Sequence, residues 1–376
     1  MSEHLPPFLN FTKKNTHLEA SDHSFFRKIL LDWYEGHHRP LPWKGIKEPY
    51  LIWLSEIILQ QTRVEQGWAY FEKFRTRFPN VHDLANASTD EVMKLWEGLG
   101  YYSRARNLHH TARQISSEFG GRFPNTYAEI LKLKGVGPYT AAAISSFAFD
   151  LPVAVVDGNV YRVLARIFGL ADPIDTGPGK KKFAALAQKL LDSSRPADYN
   201  QAIMDFGATQ CTPAAPACPR CPYQSRCLAY NGDLIRNLPV KSKKMVRKTR
   251  YFNYFVVEDD RQQMLIEKRI AKDIWRELYQ FPMLETDALL SEQDIKPEES
   301  PFKKRTTQLK LRKISLSFKQ VLTHQVIISQ FIEMYVPKIE ALKKDNYIVV
   351  DRKNLDKFAF PKLIDRYIHP TENLLF

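Results

Sequence analysis

Four cysteines, with no others in 376 residues, stand at 211, 218, 221 and 227. Pro213, Pro216, Pro219 and Pro222 are interleaved with them and stiffen the loop, so Cys211, Cys218, Cys221 and Cys227 are brought to one place. Four thiolates suit either a tetrahedral zinc or a cuboidal iron–sulfur cluster, but zinc sites usually present two paired C-x-x-C knuckles, and here Cys218 and Cys221 form just one. The spacing favours a 4Fe-4S cluster over zinc, and over a reduced or disulfide-bonded loop. Two carboxylates point to a second chemistry. Glu56 lies in Tyr50-Leu-Ile-Trp-Leu-Ser-Glu-Ile-Ile-Leu-Gln-Gln-Thr62, where helical spacing sets Ile52, Trp53 and Leu59 around it. A carboxyl held among apolar groups has a raised pKa and stays protonated near neutrality, as a general acid must, whereas from the residues alone a surface glutamate on a helix is the commoner reading. Asp157 follows the apolar pair Val155-Val156 and precedes Gly158-Asn159, a position that suits the N-cap of a helix over 160–167 and equally a catalytic carboxylate. An acid paired with a carboxylate is the arrangement that cleaves glycosidic bonds.

These groups need elements to hold them. From Ser24 onward apolar residues recur at helical spacing, as in Phe25, Ile29 and Trp33, then Leu51, Leu54 and Ile58, then Val92, Leu95 and Leu99. Turn signals at 77–80, 120–125 and 177–179 divide this stretch, which predicts eight to ten short helices up to about residue 230. Leu133-Lys-Gly-Val-Gly-Pro-Tyr-Thr140 is a tight turn leading into an Ala-rich helix. The backbone N–H groups around Gly135 and Gly137, with the helix N-terminus behind them, could hold a phosphate without regard to sequence. Seven basic residues and no acidic one between Arg236 and Arg250 read as a linker. Beyond it the runs Tyr251–Val257, Met264–Ile266, Ile314–Phe318 and Val326–Tyr335 predict strands of an α+β domain. The expected division is a mobile extension over 1–23, a helical domain over 24–230, a basic linker over 231–250 and a second domain over 251–376.

Fifty-five Lys and Arg against 42 Asp and Glu leave a net charge of +13, which favours an anionic partner, nucleic acid before a phospholipid surface. No apolar run approaches the roughly 18 residues of a membrane span, and the N-terminus lacks the apolar block of a signal peptide. The expectation is a cytoplasmic, bacterial, nucleoid-associated monomer without membrane contact.

The cysteine spacing, preceded by Gln201-Ala-Ile-Met-Asp-Phe-Gly207, resembles the iron–sulfur loop of the endonuclease III superfamily of DNA glycosylases, and within it the MutY branch of adenine glycosylases. The resemblance runs from about Leu30 to Leu228 and continues more loosely beyond. It implies a mainly α, two-lobed helix-hairpin-helix glycosylase domain with a 4Fe-4S loop, followed by an α+β Nudix-like domain. It also implies double-stranded DNA with adenine opposite 8-oxoguanine or guanine as substrate. Glu56 then protonates N7 of adenine, Asp157 supports the cationic sugar and Asn159 is its neighbour in the site. Tyr139 occupies the hairpin position that is lysine in the strand-cleaving relatives, and a phenol cannot form their imine, so a glycosylase without a strong lyase step is expected. Lys132 and Lys134 are the nearby amines that could supply a weak one.

The same resemblance makes Leu41 and Trp43, in Arg39-Pro-Leu-Pro-Trp43, walls of an adenine pocket, with Leu59 beside Glu56 and Gln201 reading the base edge. Base extrusion needs a wedge; Leu99 and Tyr101 take that part, with Gln61 and Thr62 near the opposing base. Tyr101 and Tyr102 read from composition alone equally as core aromatics. Ile274-Trp-Arg-Glu-Leu-Tyr-Gln-Phe-Pro-Met283 is similar to a Trp-Glu-Phe-Pro segment of the family's C-terminal domain, and the Glu-rich metal box of true Nudix hydrolases is missing, so lesion recognition without pyrophosphate hydrolysis is expected. The family's Phe-Ser-His recognition loop stands here as Leu322-Thr323-His324, keeping the hydroxyl and the imidazole and losing the ring. Arg220, Arg226 and Lys241 to Lys244 are placed to meet phosphates. Two other readings stay open: a glycosylase for oxidised pyrimidines and a non-catalytic iron–sulfur DNA-binding protein.

Overall fold

The computed structural model describes residues 20–41, 44–242, 246–295, 300–302, 309–342 and 344–370. Of the expected extension over 1–23, residues 1–19 lie outside the described residues, and the first helix already begins at Ala20. The chain divides into two compact units, each built from two segments: residues up to 61 with 114–244, and residues 62–113 with 245 onward.

Twelve α-helices precede the sheet among the described residues: α1 (Ala20–His37), α2 (Pro49–Leu59), α3 (Val64–Arg77), α4 (Val81–Asn86), α5 (Thr89–Leu95), α6 (Ser103–Glu118), α7 (Tyr127–Ile130), α8 (Pro138–Phe149), α9 (Gly158–Ile167), α10 (Gly177–Leu190), α11 (Pro196–Asp205) and α12 (Leu228–Asn231). That exceeds the eight to ten expected because α7 and α12 are single turns of four residues. Proline at the first turn and polar N-caps set the starts: Pro138 and Pro196 open α8 and α11, while Asn80, Ser88, Thr126, Asp157 and Thr176 cap α4, α5, α7, α9 and α10 through their side chains.

In the first unit α2 packs on α8, and α1 packs on α10 and α11. Alanines 141, 142 and 143 let α8 approach closely, and Gln60 locks the end of α2 to it by donating Nε2 to Thr140 Oγ1 at 2.9 Å. The core gathers Phe26, Leu30 and Trp33 with Val163, Leu164, Phe183, Leu190, Ile203 and Phe206, and it encloses Tyr223, Cys211 and Cys227. Part of the stretch expected as linker is anchored here. Leu238 is buried, the Val240 carbonyl accepts from the Ile174 N–H, and the Ser242 N–H donates to Asp175. Its few apolar residues point into the helical core while Arg236 and Lys241 stay exposed, a division that a count of charges hides.

In the second unit the 62–113 helices bury Phe71, Phe74, Phe78 and Trp96. The sheet has strands β1 (Lys248–Glu258), β2 (Gln263–Lys268), β3 (Tyr279–Gln280), β4 (Met283–Thr286), β5 (Lys310–Ile314), β6 (Phe318–Val321), β7 (Gln325–Tyr335) and β8 (Tyr347–Asp351), followed by α13 (Lys362–Ile368). Its order is β3-β2-β1-β7-β5, with β4 on β1, β6 on β7 and β8 on β2. The long central strands β1 and β7 run parallel from Lys248↔Gln325 to Glu258↔Tyr335. The expected strand Ile314–Phe318 is interrupted: Ile314 ends β5, Phe318 opens β6, and 315–317 form the break between them. There the Ser315 hydroxyl takes the ladder proton of the Phe331 N–H at 2.9 Å and Leu316 is left 89% exposed, so a serine side chain replaces a strand neighbour. Asp90 joins helices to sheet by accepting from Lys268 Nζ at 2.6 Å and Tyr279 OH at 3.0 Å, and Glu97 accepts from the Phe360 N–H at 2.7 Å. No helix among the described residues is long and apolar enough to cross a membrane.

Candidate active site

Glu56 and Tyr139, 83 residues apart, meet at 2.6 Å, the tyrosine hydroxyl donating to Glu56 Oε2. The packing of α2 on α8 sets that distance, since each residue sits on the helix face turned to the other helix. Burial pushes Glu56 up to about 7; the charge of Asp157 adds to the rise and the Tyr139 hydrogen bond opposes it. Glu56 opens on a cavity of about 150 Å³ whose apolar walls are Ile46, Leu51, Ile52 and Phe147 and whose polar lining includes Lys44, Asp198 and Gln201. Leu41 and Leu59 are half-buried and are not among its lining residues; Trp43 lies outside the described residues.

Asp157 caps α9, its Oδ1 accepting from the Val160 N–H at 2.7 Å. Its Oδ2 accepts from Asn159 Nδ2 at 2.8 Å, and Asn159 Oδ1 accepts in turn from Arg162 Nη2 at 2.8 Å. Burial raises the Asp157 pKa, against the pull of the Val160 and Asn159 donors and of the Arg162 charge. Arg162, which the sequence reading passed over, also donates to the carbonyls of Gly207 and Cys211 at 2.6 and 2.7 Å. Arg166 one turn on donates to the carbonyls of Thr212 and Pro213. Two arginines four apart on an otherwise buried helix face were the available signal that this face meets a carbonyl-rich loop. Asn200, fully buried, fixes the approach to Asp157 by accepting from the Val155 N–H and donating to the Val153 carbonyl.

Gly207 lies against Asn159: a Cβ there would stand 2.6 Å from Asn159 Cβ and 3.0 Å from its carbonyl oxygen. Gly207→Ala is expected to lower unfolding free energy by about 1–3 kcal/mol, the range for overpacking a filled site, as read from the denaturant midpoint. A variant with the native midpoint would show that Asn159 is free to give way.

A second missed group is Asp205. It is fully buried and accepts from Lys44 Nζ at 2.6 Å, from Arg39 Nε at 2.7 Å and from the Arg39 N–H at 3.0 Å. Burial alone would raise it; Lys44 and Arg39 outweigh burial and hold it below the ordinary carboxylate range. Gln201 Nε2 donates to the same carboxylate at 3.3 Å.

The cysteines close the unit. Cys211 and Cys227 are buried, Cys218 and Cys221 half-buried. Burial pushes Cys221 up to about 12, and the charges of Cys211, Cys227 and Cys218 add to the rise. Arg166 Nη1 stands 3.6 Å from Cys211 Sγ. Among the described residues no three His, Cys, Asp or Glu side chains close on a single ion. Gly135, at φ +77°, and Gly137, the N-cap of α8, lie exposed on the hairpin between α7 and α8.

The remaining residues are described within their own units. Gln61 is exposed at φ +58° and Thr62 is half-buried. In the second unit Leu99 is buried, whereas Tyr101 is 47% exposed at φ +47°. Thr323 and His324 form the turn between β6 and β7, and the Tyr101 and Thr323 hydroxyls are hydrogen-bonded at 3.1 Å. His324 is exposed at the tip of that turn.

The helical arrangement and the sheet both match known families. Residues 54–193 match the model of the HhH-GPD superfamily base excision DNA repair proteins, and residues 253–370 match that of the NUDIX domain. The solved structure of a thermostable thymine-DNA glycosylase superposes with a TM-score of 0.53 at 30% identity, over 57% of this chain and 100% of that one. An adenine DNA glycosylase of Buchnera aphidicola subsp. Baizongia pistaciae is 37% identical over 330 residues, 85% of this chain and 89% of that protein. One of Mus musculus is 47% identical over 223 residues, 56% of this chain and 43% of the mouse protein. The chain belongs to the adenine DNA glycosylase family.

Proposed function

We propose that this chain is a monofunctional N-glycosylase of base excision repair that removes adenine opposite 8-oxoguanine or guanine in duplex DNA. The observation that carries this reading is a carboxyl buried beside a base-sized cavity, with its pKa lifted to about 7 and a tyrosine hydroxyl holding it in place. Glu56 passes a proton to N7 of the extruded adenine, which turns the base into a leaving group. Asp157, steadied by Asn159, stands by the oxocarbenium-like sugar as the N-glycosidic bond breaks, and water completes the hydrolysis. Gln201 reads the base edge with Lys44 beside it, while Leu41, Trp43 and Leu59 are assigned to the adenine pocket on the family motif alone. Gly135 and Gly137 offer backbone N–H groups to a phosphate. Leu99 and Tyr101 open the stack, while Gln61, Thr62, Thr323 and His324 read the opposing base.

Cys211, Cys218, Cys221 and Cys227 would hold a 4Fe-4S cluster. The donor set supports this reading, four thiols on one loop with an arginine against one sulfur to offset charge, although no three of them close on one point among the described residues. When bound it supplies a structural brace for the loop. By function the domains are 24–230 and 251–376, although in packing residues 62–113 group with the second of them, and the protein works as a monomer at the cytoplasmic DNA of a bacterial cell. The test is base release from a labelled duplex with one adenine opposite 8-oxoguanine, with and without hot alkali. Strand breaks only after alkali support a monofunctional adenine glycosylase; release of oxidised pyrimidines instead, or binding without release, overturns it. Tyr139→Phe removes a hydrogen bond that lowers the Glu56 pKa, so the alkaline limb of the pH–rate profile is expected to move up by about one pH unit. An unmoved limb would separate Glu56 from that limb.

A further inference from the structure

We infer that Arg104 is a positioning residue for Tyr101: its guanidinium covers one face of the ring, so that only the opposite face can stack on a base. This rests on the reading of Tyr101 as the wedge. The guanidinium carbon lies 5.4 Å from the Tyr101 ring centroid and 5.2 Å from that of Trp96, so the planar group bridges the two aromatics. Trp96 is fully buried, meets Phe74 edge-on at 5.7 Å, and donates Nε1 to the Gly100 carbonyl at 3.0 Å. The lower support of the arginine is therefore core, and its upper contact is a ring that is 47% exposed.

The backbone shows why the ring needs this support. Tyr101 has φ +47° and directly follows Gly100 at +72°, with Gly98 at +91° two residues before that glycine. An L residue seldom adopts that conformation unless its surroundings enforce it. The surroundings here are the Arg104 N–H, which donates to the Tyr101 carbonyl at 2.8 Å, the guanidinium on the ring face, and Thr323 at the hydroxyl. The ring is gripped at its root, its face and its tip and still stays 47% exposed, and that exposed part is what it offers to DNA. Burial draws the Arg104 pKa down to about 10, which leaves the charge in place at neutral pH. Lysine carries the same charge without a plane to stack, so the two residues are not equivalent here.

The test is a double-mutant cycle on the full-length protein. Arg104→Met, Arg104→Lys, Tyr101→Leu and the two doubles are compared for duplex affinity and for quenching of 2-aminopurine placed next to 8-oxoguanine, which reports ring stacking in the complex. Arg104→Met is expected to weaken binding about 3- to 30-fold and to lose the quenching. In the Tyr101→Leu background the same change should do nothing further, because its route of action is gone. Arg104→Lys should behave like Arg104→Met in quenching. Equal effects of the arginine change in both backgrounds, or native quenching in Arg104→Lys, overturn the assignment. If Arg104→Met fails to fold by thermal melting, the lysine variant and its double carry the cycle. A native protein that binds and quenches but releases no adenine defeats the glycosylase reading and leaves the Arg104 cycle readable.

Discussion

Glu56→Gln is expected to lower adenine release by roughly 10²- to 10⁴-fold, the range general-acid catalysis supplies, with duplex binding retained. Glutamine keeps the shape and can still accept from the Tyr139 hydroxyl, but it has no proton to give. The native pH profile should carry the same signature. With its pKa near 7, Glu56 is protonated on the acid side, so the rate falls as pH rises through about 7. The same shift has a thermodynamic side. The folded protein holds a proton on Glu56 between the ordinary value of 4.5 and about 7, where the unfolded chain has lost it. Stability from this group is therefore fully present below 4.5 and is lost as pH rises through 7, by about 3 kcal/mol in all. Glu56→Gln removes that loss. Denaturant titrations should find the variant more stable than the native protein at pH 8, with the gap closing towards pH 4.5; a gap that ignores pH would mean Glu56 ionises like a surface carboxylate.

Asp157→Asn is expected to lower release by roughly 10²- to 10³-fold, the scale of losing one preorganised electrostatic group, while leaving stability near the native value. Asparagine caps a helix about as well as aspartate, so α9 should keep its start. Asp157→Ala, by contrast, should lose the rate and also about 1 kcal/mol of cap energy. The pair of variants separates the two tasks of one carboxylate, read as single-turnover rate against denaturant midpoint. Native turnover in Asp157→Asn would show that capping is its whole contribution.

Local pattern carried some of this site and missed the rest for physical reasons. An aspartate between an apolar run and a helix is legible as a cap, because capping is settled within four residues. Leu-Pro-Val in the basic stretch was not legible as core, since its burial depends on a surface far earlier in the chain, at Ile174 and Arg166, the latter 72 residues before Leu238. Asp205 and Lys44 were missed for the same reason: their ion pair spans 161 residues. Ile314–Phe318 looked like a strand because its apolar residues alternate, yet Ser315 meets the Phe331 N–H with its side chain and regular pairing on β7 is interrupted until Phe318. Glu56 and Tyr139 were each singled out from family motifs, but their 2.6 Å contact belongs to the packing of α2 on α8.

The second unit is assembled from two stretches of chain with residues 114–244 between them, and its strands β1 and β7 are parallel. On a ribosome this imposes an order of events. The helices of 62–113 emerge early, yet Lys268 and Tyr279, which bind Asp90, and the Phe360 N–H, which binds Glu97, come much later. At synthesis rates of about 5–20 residues per second the wait is on the order of tens of seconds. The first unit can close on itself during that interval, while the early helices of the second keep Asp90 open to water until β3 has been made and Glu97 until the chain has passed β8.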